Sequence, residues 1–295
     1  MKKCIAFHSY KGGTGKSTIS SNISALLTLR GYNVLLIDMD VYAPSLQTYF
    51  DMNPDKWIND FLFDAADLDD TIYDISSKID EFQLAKDQPK RGKFYASFSN
   101  SSKNEIAKLD GAIRNESSKV ELLRKFINIK EGLASDKDVD YIIIDTSPGI
   151  RYWSINALAI ADLILLSLKM DGIDIEGTRR MASEIYITFT KLGVKSYLLL
   201  NRVAGYCLPP NLSPQNSYTP ETDYSTVLTE QSQTIVNLKK ELDMEVMTSI
   251  PCYCDIQFDS KEFMTALDKP NHPFNSMMNE LIDKIENIDG AVNKE

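Results

Sequence analysis

Eight residues near the start of the chain, Lys11-Gly-Gly-Thr-Gly-Lys-Ser-Thr18, place three glycines, two lysines and three hydroxyls in a spacing that suits a polyphosphate. Gly12, Gly13 and Gly15 carry no Cβ, so backbone N–H groups can fold around phosphate oxygens, with Thr14 and Thr18 completing the contacts. A helix beginning near Ser17 adds the positive end of its dipole. Lys16 then neutralises the terminal phosphates, and the Ser17 hydroxyl offers a ligand to Mg²⁺. The general pattern G-x-x-x-x-G-K-[S/T] asks for glycine at position 10, where this chain has Tyr10; the form K-G-G-x-G-K-[S/T] fits at every position.

Three more segments end in chemistry. Val34-Leu-Leu-Ile-Asp-Met-Asp40 is an apolar run that delivers two carboxylates one residue apart. Alternate side chains of a strand share a face, so Asp38 and Asp40 can both point toward a metal–phosphate site. Val139-Asp-Tyr-Ile-Ile-Ile-Asp145 repeats the pattern and runs on through Thr-Ser-Pro-Gly149, and Tyr197-Leu-Leu-Leu-Asn201 ends in an amide that can pair with the edge of adenine.

Apolar segments of this kind, continuous rather than alternating, predict strands buried on both faces of a parallel sheet. Helices are expected from Ser17 to Arg30, near Tyr152–Ala161, near Glu176–Leu192 and over Asn275–Ile288. Strands are expected at Lys3–Ser9, Leu163–Lys169 and Val246–Ile250. The alternation predicts an α/β fold: a doubly wound, mostly parallel sheet with helices on both faces, the three-layer sandwich of a P-loop NTPase, binding nucleotide at the C-terminal ends of the strands. With 295 residues, 43% of them hydrophobic, the chain reads as a single P-loop domain over 1–295, with a helical insertion at about 51–135.

The loop, with the Asp38/Asp40 strand end, Val41-Tyr-Ala-Pro-Ser45 and Asp145-Thr-Ser-Pro-Gly149, resembles the deviant Walker A ATPases of the ParA/MinD/nitrogenase-iron-protein/Mrp superfamily. That resemblance implies ATP as substrate and Mg²⁺ as cofactor. It implies that Lys11 reaches the nucleotide of a partner subunit in an ATP-dependent homodimer, and that Asp40 orients the attacking water while Asp38 supports the metal. Asp145 would hold Mg²⁺ through a water, and a backbone N–H at Gly149 would sense the γ-phosphate. Asn201 and the segment Ser249-Ile-Pro251 would lie against the adenine. The motifs cover residues 1 to about 255.

Charge is segregated. Asp51–Asp87 holds eleven acids and three lysines, a net of −8 in a chain whose total is −10; Gln88–Lys130 holds ten basic and four acidic residues, a net of +6. Solvated helical faces are the plain reading. The functional reading gives the acidic part, with Trp57, Phe61, Leu62 and Phe63 as exposed apolar anchors, to a regulatory protein partner, and the basic part to non-specific DNA. The last helix is acidic around its stripe of Met277, Met278, Leu281, Ile282, Ile285 and Ile288. It therefore reads as core packing rather than as the basic lipid-binding tail of MinD-type members, and no stable membrane association is expected. No signal peptide is seen, so the expected location is cytoplasmic. The proline-rich stretch between Val203 and Asp223 is a candidate lid or partner-binding loop.

Two classes of function stay open. One is a ParA/MinD-like switch that dimerises with ATP and hydrolyses it slowly. The other is an Mrp-like or nickel/iron-delivery ATPase, for which Cys252-Tyr-Cys254 would supply paired thiolates across a dimer. Cys207 lacks the second cysteine of the Mrp C-x-x-C, and Cys4 reads as core filler. A bacterial tyrosine kinase of the same fold is disfavoured because no tyrosine follows Tyr253.

Overall fold

The computed structural model describes residues 3–88, 90–136, 138–203, 224–257 and 264–288. Eight strands form one sheet: β1 (Lys3–His8), β2 (Val34–Met39), β3 (Tyr73–Asp74), β4 (Phe94–Ser97), β5 (Tyr141–Thr146), β6 (Leu163–Lys169), β7 (Lys195–Val203) and β8 (Val246–Pro251). Their order is β3-β4-β2-β5-β1-β6-β7-β8, parallel throughout except for β3 against β4. β1 stands between β5 and β6, where the connections part to the two halves of the sheet, the place at which open α/β sheets leave a crevice for a ligand.

Along the chain the helices are α1 (Lys16–Leu29), the short α2 (Leu46–Tyr49), α3 (Ile58–Leu62) and α4 (Gln83–Lys86), then α5 (Lys103–Ala112) and α6 (Glu116–Asp136). Next come α7 (Tyr152–Ile160), α8 (Gly172–Met181), a π-turn over Ala182–Tyr186 and α9 (Ile187–Lys191). The set closes with α10 (Tyr224–Leu242), α11 (Cys254–Gln257), α12 (Thr265–Asp268) and α13 (Pro273–Asn287).

Alternation along each strand divides the core in two. Ile5, Phe7, Leu36, Ile143 and Leu165 face a layer made by α1, α12 and α13; Cys4, Ala6, Ile37, Ile142 and Leu166 face the layer of α6, α7 and α8. The Cys4 thiol is pushed up to about 12 by burial, as an inert core filler should be. Met278, Leu281, Ile282 and Ile285 of α13 are fully buried, so its apolar stripe is core packing. None of the described helices is long and apolar enough to cross a membrane.

The segment 51–135 holds α3 to α5 and most of α6, but it is not helical throughout. It contributes β3 and β4 to the sheet, and Phe94, Ala96 and Phe98 are fully buried. Nor are Phe61 and Leu62 exposed anchors: they are 8% and 3% exposed and pack with Phe126 of α6, while Trp57 and Phe63 are half-buried against the core. An amphipathic segment in an acidic context reads as a surface helix from its charges, but the apolar residues are what the sheet edge buries. The helix expected over Glu176–Leu192 starts four residues earlier, at Gly172, because Asp171 caps it by accepting from the Asp174 N–H, and it changes register at the π-turn. The proline-rich stretch and Cys207 lie outside the described residues.

Candidate nucleotide site

The loop leaves β1 and enters α1 through Gly13 and Gly15, both with positive φ (73° and 89°). A Cβ at Gly15 would stand 2.2 Å from the Asn201 side-chain nitrogen, so glycine is required there twice over. Gly15 caps α1 with no side-chain hydrogen bond, and the first turn carries no acid. The first N–H groups of a 14-residue helix are thus left for an external anion. Tyr10, the residue standing where the general pattern has glycine, lays its ring on α8 at Gly177, where a Cβ would meet ring carbons at 2.0 Å.

Beside the loop lies a cavity of about 410 Å³ lined by Gly12, Gly13, Gly15, Lys16, Ser17 and Thr18. Asp40, Tyr42, Ser147, Arg151 and Arg202 close it from other elements. A narrower cleft of about 50 Å³ continues past Gly15 and Thr18 to Asn201, Ile250, Pro251, Cys252 and Tyr253. Thr14 is buried beneath the loop, and its carbonyl accepts from the Ser167 hydroxyl (3.0 Å) and the Asn201 Nδ2 (2.8 Å). Asn201 therefore braces the loop with the amide expected to meet the base, and its Oδ1 accepts from the Arg202 N–H.

Lys16 is 6% exposed, and its Nζ donates to the Ser9 hydroxyl (2.9 Å), which in turn donates to the Lys11 carbonyl (2.6 Å). Lys11 itself lies outside the cavity lining, with its Nζ 3.9 Å from Asp171. Its own chain thus offers that ammonium a partner, which the spacing of the motif did not reveal.

Asp145 and Asp38 sit side by side, paired in register across β5 and β2, and both are buried. Their situations differ. Asp38 Oδ1 accepts from the Asp40 N–H, and its Oδ2 accepts from the Ser45 and Leu46 N–H groups, so the carboxylate ties down the turn after β2. Neither Asp145 oxygen makes a well-formed hydrogen bond, and the Ser17 hydroxyl is its nearest donor. Burial pushes its carboxyl up to about 6, against the pull of the Lys16 ammonium and the Ser17 hydroxyl. Burial and the Asp145 charge also hold the Asp38 carboxyl well above the usual carboxylate range.

Asp40 stands at the cavity wall, where its Oδ1 accepts from the Ser147 hydroxyl (2.9 Å) and the Ala43 N–H (3.2 Å). That bond joins the segments after β2 and β5. Gly149 takes φ 76°, and its N–H donates to the Ser9 carbonyl (2.8 Å), so in this conformation it is spent on the loop and not free for a phosphate. Tyr42 and Ser147 stood within the motifs quoted above but were given no role, and Arg151 and Arg202 were not singled out, although an arginine two residues past Gly149 was a visible signal.

A glycine cradle on an uncapped helix, at the C-terminal edge of a parallel sheet, defines a P-loop nucleotide-binding protein. Residues 2–195 match the AAA domain family (AAA_31), and the chain belongs to that family. Within the P-loop proteins its place is the ParA/MinD superfamily. The chain is 26% identical over 191 residues to the sporulation initiation inhibitor protein Soj of Bacillus subtilis, covering 63% of this chain and 65% of that one. A 56-residue stretch is 45% identical to an iron-sulfur cluster carrier protein of Aquifex aeolicus, 19% of this chain and 15% of the relative. The fold matches the septum site-determining protein MinD complexed with Mg-ADP from Pyrococcus horikoshii with a TM-score of 0.66 at 19% identity, over the whole of both chains. The matched region spans between 52% and 65% of the first curated relatives' own length.

Proposed function

We propose that this chain binds ATP with Mg²⁺ in the 410 Å³ cavity, forms a homodimer when ATP is bound, and hydrolyses it slowly as a cytoplasmic switch for a regulatory protein partner. The observation that carries the reading is Asp145, a buried carboxylate that the fold leaves underpaired, with the Ser17 hydroxyl and the Lys16 ammonium beside it. Such a group calls for a cation, since an unsatisfied buried carboxylate is costly. Ser17 and Asp145 would hold the metal, whereas Asp38, saturated by three N–H groups, is assigned to anchoring the turn. When bound, Mg²⁺ would offset charge on the phosphates.

Within the site, the loop N–H groups bind phosphate, Lys16 neutralises the terminal oxygens, and Asp40 orients the water with its carboxylate fixed by Ser147. Lys11, half-exposed at the mouth, is free to leave its long contact with Asp171 for a partner's nucleotide. Asn201 and Pro251 belong to the base side of the cleft. Isothermal titration with ATP and ADP, with Lys16→Ala as control, tests the reading: the wild type should bind both, and the variant neither.

The short stretch shared with the iron-sulfur cluster carrier supports metal or cluster delivery as a second reading. Among the described residues no group of three or more His, Cys, Asp or Glu is arranged to hold a metal ion; Cys252 lines the base-side cleft, and the Cys254 side chain lies outside the description. Metal analysis of anaerobically purified protein separates the two, because one ion per two chains, lost in Cys252→Ser, would favour delivery. The basic residues of α5 and α6 make DNA a candidate ligand, testable by the salt dependence of binding to a random duplex.

A further inference from the structure

Arg151 enters the cavity wall from the N-cap of α7, directly after the Asp145–Gly149 segment. Its guanidinium carbon lies 4.9 Å from the centroid of the Tyr42 ring, which belongs to the segment after β2. Among the described residues no carboxylate pairs with it. The Tyr42 hydroxyl donates to Asp110 Oδ1 (2.9 Å) on α5, so the ring is held from a third element. An arginine packed face-on against an aromatic ring keeps its edge donors for another acceptor, and its fork suits phosphate oxygens. The cavity it shares with Lys16, Ser17 and Asp40 is where such an acceptor would sit.

We propose that Arg151 is a catalytic residue of its own chain's site, donating to the terminal phosphate of bound ATP, with Tyr42 as its positioning residue. The proposal rests on the ATPase reading above. In hydrolysis, water oxygen bonds to the γ-phosphorus, the bond to the β,γ-bridging oxygen breaks, and ADP leaves with inorganic phosphate, which keeps one water proton while the other passes to solvent. Arg151 takes no proton in that sequence; it offsets the negative charge spread over the transferring group. It does so in cis, whereas Lys11 is assigned to the partner's nucleotide.

The test compares full-length wild type, Arg151→Ala, Arg151→Lys, Tyr42→Phe and Tyr42→Leu in kcat and in affinity for ADP and for AMPPNP. Arg151→Ala should lose on the order of 10²-fold in kcat. It should also lose about tenfold in AMPPNP affinity, one charge-assisted contact, while ADP affinity stays within about twofold. Arg151→Lys, with charge but no fork, should fall between. Tyr42→Phe keeps the stack but loses the bond to Asp110, so it should lose a small part of the AMPPNP preference, and Tyr42→Leu, which loses both, should lose more. An Arg151→Ala protein with kcat within about twofold of wild type, or with equal losses for ADP and AMPPNP, overturns the proposal. Wild type that binds neither nucleotide sinks the ATPase reading itself; wild type that binds without turnover leaves the AMPPNP/ADP ratio to decide Arg151.

Discussion

Asp145 is costly to the fold and, on the proposed function, is the side chain that holds the metal. Its carboxyl titrates near 6 in the folded chain against an ordinary 3.8, so between those values the folded state holds a proton that the unfolded state has lost. Stability of the nucleotide-free chain therefore falls as pH rises from about 4 to about 6, and the full penalty persists above 6. Asp145→Asn should melt higher than wild type at pH 7.5, by roughly 1–3 kcal/mol, with the advantage shrinking as pH drops from about 6 to about 4. The same variant should lose Mg²⁺-dependent ATP affinity. Thermal melts across pH check the first half, and titration with and without Mg²⁺ checks the second.

On the proposed function, Asp40 and Lys11 would separate binding from turnover. Asp40→Ala removes the carboxylate that Ser147 holds but leaves the loop intact, so it should bind ATP and lose hydrolysis. Full activity in that variant would remove the water-orienting role. Lys11→Ala should retain ATP binding, since Lys11 does not line the cavity, while losing turnover by about 10³-fold if its ammonium acts on a partner's phosphates. Phosphate release and ligand titration on the same preparation read both quantities. At this scale the motif residues were legible because the loop is contiguous in sequence. Arg151 and its contact with Tyr42 were not, because only the β2–β5 pairing brings positions 42 and 151 together.

At the scale of elements, the apolar runs located the central strands closely. Leu163–Lys169 has the expected bounds, and β2 ends one residue earlier than the reading of Val34–Asp40. These strands are buried on both faces and announce themselves. β4 is four residues long and β3 two, too short to show a period, and the charges around them pointed to helices. Because Phe94, Ala96 and Phe98 fill the core beside β2, removing 51–135 should abolish folding rather than trim a surface appendage; a soluble, cooperatively melting deletion would contradict the placement. The contact of Tyr10 with Gly177 links α8 to the loop. Gly177→Ala should cost about 1–3 kcal/mol and weaken ATP binding by displacing the ring, and Tyr10→Ala in the same chain should restore both.

The whole molecule presents its cavity, the uncapped end of α1 and Lys11 on one edge of the sheet, with the two core layers behind them. A chain built this way gains little from Lys11 alone, whose 3.9 Å contact with the half-exposed Asp171 is long and solvated. It gains a reason for the second lysine once a second copy faces the site. The proposed switch therefore requires an ATP-driven dimer, which size-exclusion chromatography with light scattering reads on Asp40→Ala protein, where ATP should persist. The mass of two chains with ATP and Mg²⁺, of one chain with ADP, and of one chain with ATP once Lys11→Ala is added is the predicted result. A protein that stays monomeric with ATP, or whose Lys11→Ala form dimerises as well as its parent, would contradict it.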